Sequence, residues 1–485
     1  MLRFTFNTVV WIMNIRKFFW TIGVLAAACA HPALAAPNVL VIITDDQGWA
    51  DIGYNNPGHV YTPNLDQLAA SGARFANHYV MPQCTPTRVA AFTGRYPSRF
   101  SKVALQAAND RCFPVGTPTV ARMMKDAGYK TYLAGKWHMG TDPENGPNHH
   151  GFDSSYGSLV GAVGMYDHRY RKGKYYESWH RDHVLIPGHE NGEHATDLIA
   201  DEAVRVINTQ HEQPFFLMLT FHAPHTPLDE RGRFVDIPTQ LDPDKPGRWL
   251  NEDEIEWFHD PEGIIQREED PEKRLFLAVV YHLDDAIGRV VKALEESGQR
   301  EDTLILFSSD NGPQGSWSGN AYPSDLKLTD FNQPVPMRGG KVDVWEGGIH
   351  VPGFANWPGK ILPGVVEDRV HIIDWLPTLA TITGQSVVGY DPDGVDLSPV
   401  LFDQGKLPLR DFYWIWNKNP NRWALRHGDW KIVAYGKNEP ALATDWKLFN
   451  LVDDPKEAND VSTAHPGKLA ELMTLFVEQR SKDAF

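Results

Sequence analysis

Residues 39–43 form an unbroken apolar, β-branched run that stops at Thr44-Asp45-Asp46-Gln47-Gly48. A run with no polar alternation predicts a strand covered on both faces, as in a parallel sheet. Helical spacing follows over residues 62–71, with Gly72 beyond it, and again over 119–127, closed by Gly128. Residues 129–134 read as a second strand leading into Gly135-Lys136-Trp137-His138, and 215–221 as a third leading into His222-Ala223-Pro224-His225. Helices are expected over 197–209 and 271–297, and a fourth strand over 303–308 runs into Ser309-Asp310-Asn311-Gly312. This alternation is that of an α/β fold with a doubly wound, mostly parallel sheet, in which ligands sit at the carboxyl ends of the strands. Polar residues at four strand ends therefore predict one site on one edge.

Beyond about residue 385 the texture changes. Residues 412–416, 423–426 and 430–434 are short aromatic or β-branched runs, the last two joined by His427-Gly428-Asp429, and 466–480 has helical spacing. A smaller C-terminal α+β unit with an antiparallel sheet is expected there. The division is then residues 1–35, a main domain over 36–385 and a C-terminal unit over 386–485. The chain has 485 residues, 42% apolar and 22% charged, with 16 Trp, 16 Tyr and 23 Phe, which is material for packed cores and excludes disorder. A formal charge of -16 argues against nucleic-acid binding, which needs a basic face.

Arg16 and Lys17 precede the apolar stretch 18–28, and Ala33-Leu34-Ala35 has the small residues that a signal peptidase accepts. Residues 1–35 are expected to be a signal peptide cleaved near Ala35, which sends the chain to the periplasm or out of the cell. Met13 is an alternative start, and Cys29 a less favoured lipoprotein-like acceptor. The stretch is too short for a convincing membrane span and no later one is better, so no transmembrane helix is expected in the mature chain. Cleavage removes Arg3, Arg16, Lys17 and no acid, leaving a more acidic chain with Cys84 and Cys112 as its cysteines.

Cys84-Thr85-Pro86-Thr87-Arg88 precedes Val89-Ala90-Ala91-Phe92 and Gly94, a helix start with proline in the first turn and glycine as the stop. Cys84 would stand among the free N–H groups of the positive helix end, where a thiol is acidified, and Arg88 one turn on would share its face. Two readings stay open at this level: a reactive thiolate, or a Cys84–Cys112 disulfide in an exported chain. Asp45, Asp46, Asp310 and Asn311 offer oxygen ligands to a hard divalent cation, yet such residues after strands are also ordinary turn formers.

The Cys84-Thr85-Pro86-Thr87-Arg88 segment resembles the Cys-x-Pro-x-Arg signature of the formylglycine-dependent sulfatases, whose cysteine is oxidised to an aldehyde. Thr87 stands where serine is commoner. The similarity runs in family order over nearly the whole mature chain, from Asn38-Val39-Leu40 and Asp45-Asp46-Gln47-Gly48 through Gly94-Arg95-Tyr96-Pro97 and Gly135-Lys136-Trp137-His138-Met139-Gly140. It continues through Pro224-His225-Thr226-Pro227 and Ser309-Asp310-Asn311-Gly312 to Arg338-Gly339-Gly340-Lys341 and Trp345-Glu346-Gly347-Gly348.

The resemblance implies an alkaline-phosphatase-like main domain and an arylsulfatase-like sulfuric ester hydrolase. It implies Ca²⁺, ahead of Mg²⁺ or Mn²⁺, on Asp45, Asp46, Asp310, Asn311 and the modified Cys84. One hydroxyl of the hydrated aldehyde would attack sulfur, and the other would let sulfate be eliminated. His138 is implied as the base for that elimination, His225 with Lys341 as the pair that binds sulfate and protonates the leaving oxygen, and Lys136 and Arg88 as cations around the diol. A formylglycine-generating maturation enzyme is an implied partner, and the implied substrate is a sulfated sugar or an aryl sulfate. The acidic surface mildly favours one terminal sulfated group over a long polyanion.

Arg338 either contacts sulfate or holds its loop. His149, His150 and His222 are candidates without a matched role, and Trp317, Trp416 and Trp423 either stack on sugars or fill the core. The alternatives are phosphonate or phosphate ester hydrolysis by the same modified cysteine, and non-catalytic binding of sulfated glycans by an unmodified one.

Overall fold

The computed structural model describes residues 36–169, 177–228, 260–316, 329, 331–333, 337–418, 420–440 and 442–485. The expected signal segment with Met13 and Cys29, and also Trp317, lie outside the described residues. Ten strands form one sheet: β1 (Asn38–Thr44), β2 (Ala73–Tyr79), β3 (Lys130–Lys136), β4 (Ser154–Ser158), β5 (Trp179–Arg181), β6 (Val184–Leu185), β7 (Phe215–Thr220), β8 (Thr303–Ser309), β9 (Gly353–Asn356) and β10 (Gly364–His371). Their order is β10-β2-β9-β8-β1-β7-β3-β4-β5-β6. β1 lies parallel to both β7 and β8, β3 to both β7 and β4, and β2 to β10. β9 runs antiparallel between β2 and β8, and β5 and β6 close the far edge antiparallel.

The composition of β1 explains this placement. Val39, Val41 and Ile43 enter one apolar layer with the helices Cys84–Thr93, Val120–Asp126 and Trp375–Thr383. Leu40 and Ile42 enter the opposite layer with Pro63–Ala70, Ala195–Ile207 and Pro271–Glu296. Each such side chain contributes about 1.5–3 kcal/mol when fully buried, so a polar residue on either face would be costly. The run ends where burial of apolar surface gives way to chemistry. Thr44 pairs with Ser309, so Asp45 and Asp310 leave the sheet side by side, and Gly135 pairs with Thr220 at the same edge.

The C-terminal strands β11 (Asp411–Trp416), β12 (Asn421–His427), β13 (Trp430–Gly436) and β14 (Lys447–Asn450) form a separate antiparallel sheet in that order. The helix Pro466–Arg480 packs against it through Leu469, Leu472 and Phe476. Trp414 reaches back to donate its indole N–H to the Val80 carbonyl at 2.8 Å, and its ring belongs to the first apolar layer. Among the described residues no helix is long and apolar enough to cross a membrane.

Candidate active site

Four strand ends deliver the predicted residues to one edge. Asp45 and Asp46 follow β1, Asp310 and Asn311 follow β8, Lys136 ends β3 with His138 two residues on, and His225 lies beyond β7, all of them buried. Cys84 begins the helix Cys84–Thr93, and Gly94 stops it with a left-handed φ of 66°. One ligand atom from each of Asp45, Cys84 and Asp310 lies within 4.8 Å of the other two, and the same holds for Asp45, Asp46 and His225. Every committed charge has a counter-charge. Arg88 bonds Asp310 Oδ2 at 3.0 Å and the Lys136 carbonyl at 2.8 Å. Lys136 Nζ contacts Asp45 Oδ2, and Lys341 Nζ meets Asp46 Oδ2 at 2.8 Å. His225 Nε2 stands 3.6 Å from the same Asp46 oxygen, while Asn311 Nδ2 donates to Asp46 Oδ1 at 2.7 Å.

Two oxygens are left over. Asp45 Oδ1 and Asn311 Oδ1 are buried with no hydrogen-bond partner. A buried acceptor without a partner costs about 1–3 kcal/mol, and both belong to an all-oxygen donor set of the kind that hard divalent cations take. The residues present therefore fit a metal ion, with Asp45, Asp46, Asp310 and Asn311 as its holders.

The helix-end effect expected at Cys84 does not prevail. Burial pushes the thiol up to about 11; Lys136 and Lys341 lower it only in part, and Asp310 and Asp45 add to the rise. The unmodified side chain is thus a protonated thiol rather than the acidified nucleophile the helix position predicted. Cys84 and Cys112 are both free and buried, so no disulfide joins them.

Burial opposes the charge on Asp46, but Lys341 and His225 outweigh it and hold its carboxyl below the usual range. Burial and repulsion from Asp45 raise Asp310 to about 7, against the pull of Arg88. Burial, with Lys136 and Arg88 close by, keeps His138 well below the usual imidazole range, and burial with Lys341 lowers His225 to about 3. Both rings are neutral at neutral pH in this state.

Above these groups opens a cavity of about 580 Å³ lined by Cys84, His138, His225 and Lys341, with Gln83, Asn109, Asp343 and Lys418 further round its wall. Arg88, Lys136, Asp45, Asp46, Asp310 and Asn311 do not line it. His138 holds an unusual backbone, φ 58°, and its ring lies against Gly161, where a Cβ would come within 2.2 Å of ring atom Cε1. Neither Gly161 nor Lys418 carried a sequence signal; Gln83, adjacent to Cys84, was the one neighbour that position alone could have flagged.

Other candidates fall elsewhere. Arg338 is exposed, lies 3.7 Å from the Trp345 ring centre and donates to the Glu457 carbonyl at 2.8 Å, so it holds its loop. His222 is bonded to Ser158 Oγ, His150 is packed against Phe113 and Trp137, and His149 is in ring contact with His183. Trp416 and Trp423 are buried, which favours core packing over sugar stacking.

Comparison with known proteins gives the same direction. The sulfatase family profile matches residues 37–385. Arylsulfatase A of Bos taurus is 32% identical over 486 residues, covering 90% of this chain and 85% of that protein. N-acetylgalactosamine-6-sulfatase of Mus musculus is 30% identical over 417 residues, covering 81% and 71%. Among solved structures, Ps i-CgsB in complex with k-i-k-neocarrahexaose matches with a TM-score of 0.73 and 27% identity, over 92% of this chain and 93% of that one.

Proposed function

This chain belongs to the sulfatase family, and from that premise we propose that it hydrolyses sulfate esters of a carbohydrate, with residue 84 acting as formylglycine and Ca²⁺ held by Asp45, Asp46, Asp310 and Asn311. The observation that carries the proposal is the convergence of Cys84, Asp45 and Asp310 within 4.8 Å, beside two buried oxygens that have no partner. The likeness to N-acetylgalactosamine-6-sulfatase and to a structure that holds neocarrahexaose supports the carbohydrate part.

When bound, the cation supplies positive charge to sulfate oxygens and to the oxygen of residue 84. The hydrated aldehyde supplies two hydroxyls on one carbon, one to attack sulfur and one through which sulfate is afterwards expelled. The remaining work falls to the chain. Arg88 and Lys136, anchored on Asp310 and Asp45, keep positive charge beneath residue 84 without any reorganisation during reaction. His138 is neutral, and its buried Nδ1 has no partner, so it can accept the proton that sulfate expulsion releases.

Lys341 keeps its charge through Asp46 and reaches the cavity, where it meets the sulfate oxygens. His225 donates Nδ1–H to the Thr226 carbonyl, which makes Nε2, 3.6 Å from Asp46 Oδ2, the basic nitrogen of the ring. A sulfate anion beside that ring favours its protonated form, and the proton then passes to the leaving alcohol oxygen. The same proposal takes residues 1–35 as an export signal, 36–385 as the catalytic domain and 386–485 as the C-terminal unit, and it requires a maturation enzyme that oxidises Cys84.

Sulfate release from a panel of sulfated mono- and oligosaccharides, run beside phosphate and phosphonate esters, tests it. Higher efficiency on the sulfated sugars is expected; higher efficiency on the phosphorus esters would overturn it.

A further inference from the structure

We propose that the cavity holds a subsite for a second anionic group of the substrate, a sulfate or carboxylate on the saccharide that flanks the cleaved ester, with Lys418 as its counter-charge and Gln83 as its hydrogen-bond donor. The proposal rests on the sulfatase reading for the identity of the cleaved bond.

Among the described residues, Lys341, Asp343 and Lys418 line this cavity with fixed charge. Two are already committed. Lys341 pairs with Asp46. Asp343 Oδ1 accepts from Arg422 Nε at 3.1 Å and from the Tyr435 hydroxyl at 3.3 Å, and its Oδ2 accepts from the Gly340 N–H at 3.3 Å. Arg422 is itself fixed, its guanidinium lying 4.3 Å from the Trp416 ring centre. The wall around Asp343 is thereby neutralised by a cation from β12 and repels no incoming anion. Lys418, in the short connection between β11 and β12, is exposed, and no carboxylate among the described residues pairs with it. Among the described residues it is the cavity's charge without a pairing partner, and it is positive in a chain whose net charge is -16.

Gln83 adds direction. Its Oε1 accepts from Trp416 Nε1 and from the Ala107 N–H, each at 2.8 Å. An amide oxygen has two lone pairs, so both are used, and the side chain turns its NH₂ into a donor for whatever enters. The C-terminal sheet therefore contributes to the cavity twice, by Lys418 directly and by Trp416 through Gln83. At about 580 Å³ the space falls in the range that accepts a molecule well beyond a single sulfate group.

The test is calorimetric titration of the full-length Cys84→Ala protein in Ca²⁺, which keeps the cavity but cannot turn over. The probes are a disaccharide with one sulfate, the same disaccharide with a second sulfate on the neighbouring sugar, and one with a carboxylate there. The dianionic sugars are expected to bind about fivefold more tightly than the monosulfated one, the upper end for a solvent-exposed ion pair, and comparison of the two shows which anion is preferred. The ratio should fall to about one when Lys418→Ala is added and invert with Lys418→Glu. Equal affinity for all three sugars, an unchanged ratio in Lys418→Ala, or no binding of any of them would overturn the proposal. The readout is a ratio of affinities, so failure of the sulfatase reading has a different signature: the ratio persists while the matured protein releases no sulfate.

Discussion

Arg88 and Asp310 form an ion pair at 3.0 Å with both side chains almost wholly out of solvent, although 222 residues separate them in the chain. The pair ties the helix that carries residue 84 to the strand end that carries a proposed metal ligand. Removing one partner strands the other. Arg88→Ala should destabilise the metal-free protein by about 1–3 kcal/mol, the cost of leaving the buried Lys136 carbonyl and the Asp310 carboxyl, which then takes up a proton, without their donor, measured by urea unfolding in chelator. A loss below about 1 kcal/mol would show that neither group needs that donor.

The unpartnered oxygens of Asp45 and Asn311 predict that the ion stabilises the fold. At free Ca²⁺ about a hundred times its Kd, stability should rise by about 2.7 kcal/mol, seen as a higher Tm that chelator reverses. Mg²⁺ should give a smaller shift, because it demands tighter octahedral geometry. Asp45→Asn and Asp310→Asn should abolish the response. A Tm indifferent to Ca²⁺ in the unsubstituted protein would contradict the assignment of these four ligands.

Gly161 is predicted to be as necessary as His138, for a steric reason. An added Cβ would overlap the His138 ring, with atoms as close as 2.2 Å, and the ring must move. A displacement of about 1 Å at a reacting group costs on the order of 100-fold in rate. Gly161→Ala should therefore lose about that much kcat while its unfolding midpoint changes little. Unaltered kcat would mean that the ring has room the structure does not show.

A buried network under the Lys341 loop should set acid stability. Glu346 accepts from the Tyr79 hydroxyl at 2.7 Å and pairs with Lys431 at 2.8 Å, and Lys431 also meets Glu457 at 2.8 Å. Burial would raise the Glu346 carboxyl, but Lys431 and Arg426 outweigh it and bring it from 4.5 to about 2. A carboxyl depressed in the folded state adds stability above its unfolded value and loses it as pH falls from about 4.5 towards 2. The full difference is about 3 kcal/mol. Glu346→Gln should flatten the dependence of unfolding free energy on pH across that window; identical slopes in the two proteins would refute the coupling.

The parts of this site that were legible in the sequence are those where the chain changes character abruptly. β1 is apolar on both faces and then turns to Asp45-Asp46, so the strand, its edge and the carboxylate pair that follows it were readable together. The helix at Cys84 was readable from Pro86 and Gly94. β2 and β10 were not, because their residues mix Arg74, Asn77, Glu367, Asp368 and Arg369 into runs that lack the continuous apolar signature. The thiol pKa was misjudged because a helix end acts over one turn, whereas burial and the carboxylates of Asp45 and Asp310 come from strands distant in sequence. Gly161 against His138, and Arg422 against Asp343, are contacts that only the folded chain creates.

The proposed sulfate ester cleavage depends on a modified residue 84. It is tested most directly by the mass of the peptide spanning residue 84, taken from protein of the native host whose sulfate release has been measured in the same preparation. The expected mass is that of the aldehyde or its hydrate, with activity rising in proportion to the fraction converted. An active preparation in which residue 84 is entirely an unmodified thiol would contradict it.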